Sequence, residues 1–182
     1  MKYRILLSLI AGGFALGAAL SSAFSAPPDR LERIAELGKE ICVPFLYGET
    51  AASPASLGLH PVPNVAPGMH LDLISKSFVQ TRKHSCTIVN HDENALLPTE
   101  TVDLWVLIET LITEEFPQLL PSKTDEMTET NSLIRAWSTE NFNELARWGV
   151  SVYSFSPTGT DRDYSALLFY KPVKGPVERP DR

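Results

Sequence analysis

Residues 150–171 read VSVYSFSPTGTDRDYSALLFYK and decide the fold more than any other stretch. Two runs rich in Val, Tyr and Phe flank residues 157–163, whose Pro, Gly and Asp residues are typical of turns. The pattern predicts an antiparallel hairpin near the C-terminus. The second run, YSALLFYK, is apolar at both alternating sets of positions, which favours a central strand because a half-exposed strand would alternate with polar residues.

Two helices are predicted from apolar residues that recur at helical spacing. The first begins after Asp29, which has Glu32 three residues on in the pattern of a capping box. Pro44 should end or bend it, because the residue before a proline avoids the helical region. The second and stronger helix is PTETVDLWVLIETLITEEFP, residues 98–117, in which Pro98 suits the start and Pro117 the end.

The remaining segments give weaker patterns. Residues 84–90 alternate as a strand does, and SLIRAW (132–137) also favours a strand. LDLISKSFVQ (71–80) fits a short helix or an irregular strand equally well. PSKTDEMTETN (121–131) predicts a loop, and a capping pair predicts a short helix over 141–148. The alternative is one longer helix that covers both SLIRAW and residues 141–148. The proline-rich residues 48–68 predict a long loop, either a solvated connector or a binding loop.

Together these elements predict an α+β fold, in which a small antiparallel sheet carries two main helices packed on one face and one disulfide crosslinks the domain. A single domain is expected over residues 27–172. The last residues, 173–182, contain spaced prolines and charges and are expected to form a flexible proline-rich tail.

The N-terminus, residues 1–26, has the composition of a secretory signal peptide. Lys2 and Arg4 precede an apolar run that ends in small residues, and three glycines make the run a poor membrane anchor, the alternative interpretation. Removing it leaves 14 Lys and Arg against 22 Asp and Glu, a net charge of −8. We therefore expect a periplasmic or secreted protein without a membrane span after cleavage, and no nucleic-acid partner, since phosphate binding needs a basic surface.

Cys42 and Cys86 are the chain's two cysteines. In an oxidising compartment they predict one disulfide, which in the chain-entropy model adds about 4 kcal/mol to stability. A second cysteine also argues against a free thiol nucleophile, although His84 and His91 flank Cys86 in sequence.

Candidate metal ligands are few and poorly spaced. His60, His70, Asp92 and Glu93 are chemically suitable, and His84 and His91 are weak candidates, but no HExxH, HxH or other compact spacing occurs. There is also no G-x-S-x-G elbow and no nucleotide-binding glycine motif. The sequence thus predicts no catalytic residue, metal or cofactor.

Six aromatic residues leave two interpretations open, a buried core or a groove for a sugar or peptide: Trp105, Trp137, Trp148, Tyr153, Tyr164 and Tyr170. A sheet edge offers a further route, strand addition by a partner. We expect an exported soluble non-catalytic binding or interaction protein of the cell envelope, with a protein or peptide partner in the periplasm. The alternative is a small periplasmic metal-binding protein or hydrolase that uses the 48–70 loop as a lid.

Overall fold

The structure, a computed structural model, describes residues 29–63, 65–127, 132–139, 145–155 and 163–179. The predicted signal peptide lies outside these residues. The helical segments are α1 (Arg30–Leu37), a π-helical turn (Gly38–Cys42), α2 (Val43–Tyr47), a 3-10 turn (Asp92–Asn94) and α3 (Pro98–Glu115). The strands are β1 (His60–Pro61), β2 (Met69–Asp72), β3 (Ser77–Thr81), β4 (Ser85–His91), β5 (Leu120–Met127), β6 (Ser132–Ser138), β7 (Gly149–Phe155) and β8 (Tyr164–Tyr170).

The described strands form one eight-stranded antiparallel sheet in the order β1-β2-β3-β4-β8-β7-β6-β5. Each half of the chain contributes a four-stranded meander, and the two meanders join where β4 pairs with β8. The predicted hairpin is confirmed as β7 and β8, and β8 is indeed central. Helices, an antiparallel sheet and one disulfide confirm the mixed α and β class, while the sheet is larger than the small one expected.

The first helix begins as predicted, because Asp29 and Glu32 form a capping box at its N-terminus. It does not end at Pro44 but continues to Tyr47 and stops at Gly48, which has φ +71°. Pro44 has no N–H to donate to the carbonyl of Glu40, and the backbone N–H of Ala52 donates to that carbonyl instead at 3.3 Å. The π-helical turn immediately before Val43 widens the helix at this point.

The core lies between the helices and one face of the sheet. Cys86, Ile88, Leu167 and Phe169 point to this face and are buried, and the apolar stripes of α1 and α3 complete the cluster. The helical backbone approaches the sheet closely at Gly38, where an added Cβ would lie 3.2 Å from Leu167 Cδ2. Glycine at this position therefore lets the first helix pack directly on the central strand.

Residues 71–80, left open between helix and strand, belong to the β2–β3 hairpin. Tertiary contacts fix this conformation. Asp72 is buried and accepts hydrogen bonds from the backbone N–H and the hydroxyl of Ser75, both at 2.7 Å, inside the turn. Asn90 of β4 donates to the carbonyl of Ser75 at 3.0 Å and so ties the turn to the neighbouring strand.

Arg33 anchors α1 to the same turn. Its guanidinium donates to Asp72 Oδ1 through Nε at 3.1 Å and Nη2 at 3.0 Å, with both side chains almost fully buried. Burial alone would raise the pKa of Asp72, but the hydrogen bonds from Ser75 and Arg33 and the charge of Arg33 outweigh it, so the pKa is lowered. The pair is a structural link between the first helix and the sheet.

Two further predictions fall in the second half of the chain. The loop prediction over 121–131 is wrong for its first part, because β5 runs from Leu120 to Met127 and pairs with β6. The predicted helix over 141–148 lies mostly outside the described residues, and residues 145–148 form a turn and an irregular segment. SLIRAW is confirmed as a strand within β6, and the 98–117 helix is confirmed as α3.

The predicted tail is described as far as Arg179. Val177 is buried, and Arg179 lies 2.9 Å from Glu49 and 3.4 Å from Glu115 and packs over the ring of Tyr47. The flexibility of residues 173–182 stays a prediction. In the part of the chain that the structure describes, no helix is long and apolar enough to cross a membrane.

Candidate functional site

The face of the sheet opposite the helices carries the candidate site, and we call it the open face. Along β7, Val150 and Val152 are buried against the helices, whereas the alternating Ser151, Tyr153 and Phe155 are partly exposed. The strand register arranges the open face in four rows of cross-strand partners, numbered here from the end that carries Asp92.

Row 1 contains His91, Tyr164, Phe155 and Ser132. Row 2 contains Leu71, Phe78, Val89, Ala166, Tyr153 and Ile134, and it ends at His60 on the edge strand β1 and at Asp125 on the edge strand β5. Row 3 contains Met69, Gln80, Thr87, Leu168, Ser151 and Ala136, and it ends at Lys123 on β5. Row 4 contains Ser85, Tyr170, Gly149 and Ser138.

Row 2 is apolar across six consecutive strands. Since neighbouring strands lie about 4.8 Å apart, it extends roughly 24 Å across the sheet. A solvent-facing sheet surface usually carries polar residues, so an apolar row across six strands on the side away from the helices makes this face the candidate functional site. Sequence reasoning missed Leu71, Phe78, Val89 and Ile134 as members of this row.

Aromatic side chains cluster between rows 1 and 2. Tyr164 packs edge to face on Tyr153 at 5.7 Å between ring centroids and lies 5.5 Å from Phe155. On the neighbouring strands, Phe78 lies 6.1 Å from the ring of His91. Burial, and then the nearby Tyr164, raise the pKa of Tyr153. Its phenol therefore stays protonated at neutral pH, and serves as a rigid contact with one hydroxyl rather than as a base.

Row 4 contains a polar cluster around Tyr170. Arg147 Nη2 donates to the hydroxyl of Ser138 at 3.0 Å, and both groups interact with the phenol of Tyr170. Burial raises the pKa of Tyr170 despite the opposing effects of Arg147 and Ser138, so this tyrosine also stays protonated. Its hydroxyl lies over Gly149, where an added Cβ would be 2.9 Å away from it and 2.1 Å from the carbonyl oxygen of Trp137.

The six aromatic residues of the sequence thus divide between the two interpretations. Trp137 and Trp148 are buried in the core, and Trp105 packs partly buried against it. The three tyrosines, Tyr153, Tyr164 and Tyr170, lie on the open face with partial exposure. No single groove collects all six.

The two cysteines form the predicted disulfide, with Cα atoms 5.4 Å apart. Cys42 at the end of the π-helical turn is bonded to Cys86 of β4, and both are fully buried. Because the chain has no other cysteine, it has no free thiol that could act as a nucleophile. The bridge ties the first helix to the helix-facing side of the sheet.

His60 and His70 lie at adjacent register positions on the paired strands β1 and β2, whereas the other two histidines are far apart. His84 and His91 stand at opposite ends of β4, roughly 20 Å apart for a strand of that length. His70 lies in β2, and its Nδ1 is 3.1 Å from the carbonyl oxygen of Gly68, just before the strand. Over the described ranges, no three His, Cys, Asp or Glu side chains form a group that could hold a metal ion. Metal binding by His84 or His91 stays a prediction that this geometry does not support.

The 48–70 loop, considered as a lid, forms an open apolar groove from its own residues, among them Pro61, Val62, Pro67 and Met69. Among the described residues, His70 is the one titratable side chain that lines the groove.

Comparisons with protein-family models, curated proteins and solved structures found no match to this chain.

Proposed function

We propose that this chain is an exported, soluble, non-catalytic interaction protein of the cell envelope, and that its open face binds a protein surface. The observation that carries the proposal is row 2, an apolar row on the side of the sheet away from the helices. Tyr153 and Tyr164 add the residue type that is enriched at the centre of protein interfaces.

The shape and chemistry of the open face favour a protein as the partner over a small ligand. A small ligand is usually enclosed by a concave pocket that buries most of its surface. A sheet face instead offers a broad surface with few convergent polar groups, of which the Tyr170 cluster is one. A broad apolar surface with aromatic side chains and a charged rim is the usual anatomy of a protein–protein interface.

Export is supported by the signal-peptide pattern of residues 1–26 together with the disulfide, since such bonds persist in oxidising compartments. Intact-mass analysis of the mature protein tests it. We expect an N-terminus within residues 23–27 and no thiol that reacts with an alkylating label. A protein that retains Met1, or that carries two labelled cysteines, would contradict export.

The binding proposal is tested by photo-crosslinking in intact producing cells. A photoreactive phenylalanine analogue replaces Phe78 on the open face, and a matched control replaces Val106, which is 63% exposed on the outer side of α3. We expect one discrete protein adduct from position 78 and none from position 106. Equal adducts from both positions, or none from position 78, would refute the assignment of the open face.

A further inference from the structure

We infer that the protein bound on the open face is a second copy of this chain, and that the two copies stack face to face about a twofold axis perpendicular to the strands. This inference rests on the proposed function of the open face. It deepens that proposal by naming the partner and the orientation. The axis lies between the two sheets and passes between rows 2 and 3, so each strand crosses the same strand of the other copy.

The centre of the face carries no charge that would oppose stacking on itself. On the six strands from β2 to β6 in sheet order, rows 2 and 3 consist of apolar residues, alanines and uncharged polar residues such as Thr87 and Ser151. The edge strand β5 adds Asp125 to row 2 and Lys123 to row 3, so the proposed axis sets these oppositely charged residues at matching positions in the two copies. A twofold interface brings the same surface patch together from both copies, so a charge at its centre would face the same charge on the other copy and be repelled. This central surface meets that requirement of self-complementarity.

Large and small side chains alternate between the two rows on the strands of the second meander. On β7, Tyr153 of row 2 is followed by Ser151 of row 3, and on β6, Ile134 of row 2 by Ala136 of row 3. The proposed axis places row 2 of one copy over row 3 of the other, so on these strands large side chains lie over small ones, whereas an axis parallel to the strands would place row 2 on row 2. On β2 and β3 both rows carry large side chains, Leu71 with Met69 and Phe78 with Gln80.

On the central strand β8 the small side chain lies in row 2 and the large one in row 3, and this arrangement is also compatible with the proposed axis. Here Ala166 lies in row 2 and Leu168 in row 3. Stacking row 2 on row 3 therefore sets Leu168 of each copy above Ala166 of the other. Stacked sheets lie about 10 Å apart and interdigitate in this manner.

The ends of the face carry opposite charges. The turn between β3 and β4 contains Arg82 and Lys83, both exposed, and Arg147 lies at the same end beside Tyr170. Asp92 and Glu93 follow β4 at the other end, where the backbone N–H of Asp92 donates to the backbone carbonyl of Asp163.

The proposed axis sets the cationic end of one copy against the acidic end of the other. Lys76, in the β2–β3 turn, also lies at the acidic end but one strand further out. An axis parallel to the strands would join like charges, which disfavours association.

The size of the face fits a weak, concentration-dependent dimer. Its four rows cover roughly 20 Å along the strands and roughly 24 Å across them, a planar area of roughly 480 Å². This area is below the roughly 800 Å² per partner of a standard protein interface and in the range of weak associations.

Sedimentation velocity of the mature protein, from about 1 to 500 µM, tests the stoichiometry. We expect a monomer–dimer equilibrium that Leu168→Asp shifts to monomer. The control Val106→Asp, on the outer side of α3, should leave it unchanged. A wild-type monomer over the whole range, or a dimer that survives Leu168→Asp, would overturn the inference.

A charge exchange tests the orientation without touching the core. Lys83 and Glu93 are both exposed, so substituting them leaves the packing intact. Lys83→Glu and Glu93→Lys should each raise the dimer dissociation constant about tenfold, and the double variant should return it close to the wild-type value. Additive weakening in the double variant would overturn the perpendicular axis.

The crosslinking experiment at position 78 separates this inference from the proposed function. An adduct of twice the mature mass supports both the second copy as partner and the open face as an interaction surface. An adduct with a different protein overturns the second copy and leaves the open face as an interaction surface. No adduct from position 78 overturns both.

Discussion

Replacing Asp72 by Asn tests the buried link between the first helix and the sheet. The carboxylate of Asp72 accepts four hydrogen bonds, two from Arg33 and two from Ser75, with its side chain 2% exposed. An amide accepts only on its oxygen, so its NH₂ group would face donors, and the guanidinium of Arg33 would lose its buried counter-charge. We expect a loss of about 3–5 kcal/mol in the free energy of unfolding, the usual cost of breaking a buried pair.

Glu36→Gln is the matched control. Glu36 contacts the same guanidinium at 2.8 Å, but its side chain is 46% exposed. Solvent screening should hold the cost of this substitution below about 1 kcal/mol. Urea denaturation followed by Trp fluorescence measures both variants at neutral pH. Equal and small losses for the two variants would refute the reasoning.

The pH dependence provides a second arm of the same test. The pKa of Asp72 in the folded protein is lowered from its ordinary value of 3.8. Its stabilising effect is therefore complete above the unfolded-state pKa and is lost as the pH falls through the folded-state pKa. The difference between wild type and Asp72→Asn should stay constant from pH 7 to about 5 and shrink below about 4. A difference that does not change down to pH 2 would contradict the assignment.

Three further variants test the disulfide, the close approach at Gly149 and the tail. Replacing Cys42 and Cys86 together by Ser should lower the free energy of unfolding by about 4 kcal/mol for a 44-residue separation, and a loss below 1 kcal/mol by urea titration would oppose it. Gly149→Ala should cost about 3 kcal/mol by thermal melting because its Cβ meets the backbone of β6, and an unchanged melting temperature would refute this. Val177→Ala should cost about 1–2 kcal/mol, whereas no change would favour a freely mobile tail.

The elements that the sequence predicts correctly are those whose signal is local. α3 has a long helical period with proline at its start, and the β7–β8 hairpin has two β-rich runs around turn residues. The run YSALLFYK also indicates its central position, since both of its faces are apolar. The disulfide was predictable because only one pairing of two cysteines is possible.

The segments that the sequence predicts wrongly or leaves open depend on contacts distant in sequence. The β2–β3 hairpin is held by Asp72, which bonds to Arg33 of α1, a residue 39 positions away. β5 is polar in sequence, and its pairing with β6 at the edge of the sheet defines it as a strand. Continuation of the first helix past Pro44 requires Ala52 to donate the missing hydrogen bond.

The candidate site was predictable only in part. The sequence indicates that Tyr153, Tyr164 and Tyr170 are notable, but it does not show which side of the sheet the helices cover. Row 2 becomes apparent only once the register sets Phe78, Val89 and Ala166 side by side across three strands. No local pattern joins residues from strands so far apart in the chain.

Covalent footprinting of aromatic side chains most directly tests whether the open face is an interaction surface. The labelling of Phe78, Tyr153 and Phe155 is compared between intact producing cells and the purified protein at high dilution, with Trp105 on α3 as the internal reference. We predict that the three open-face residues are labelled several-fold less in cells while Trp105 is unchanged. Equal labelling of the open face in both settings would contradict the account.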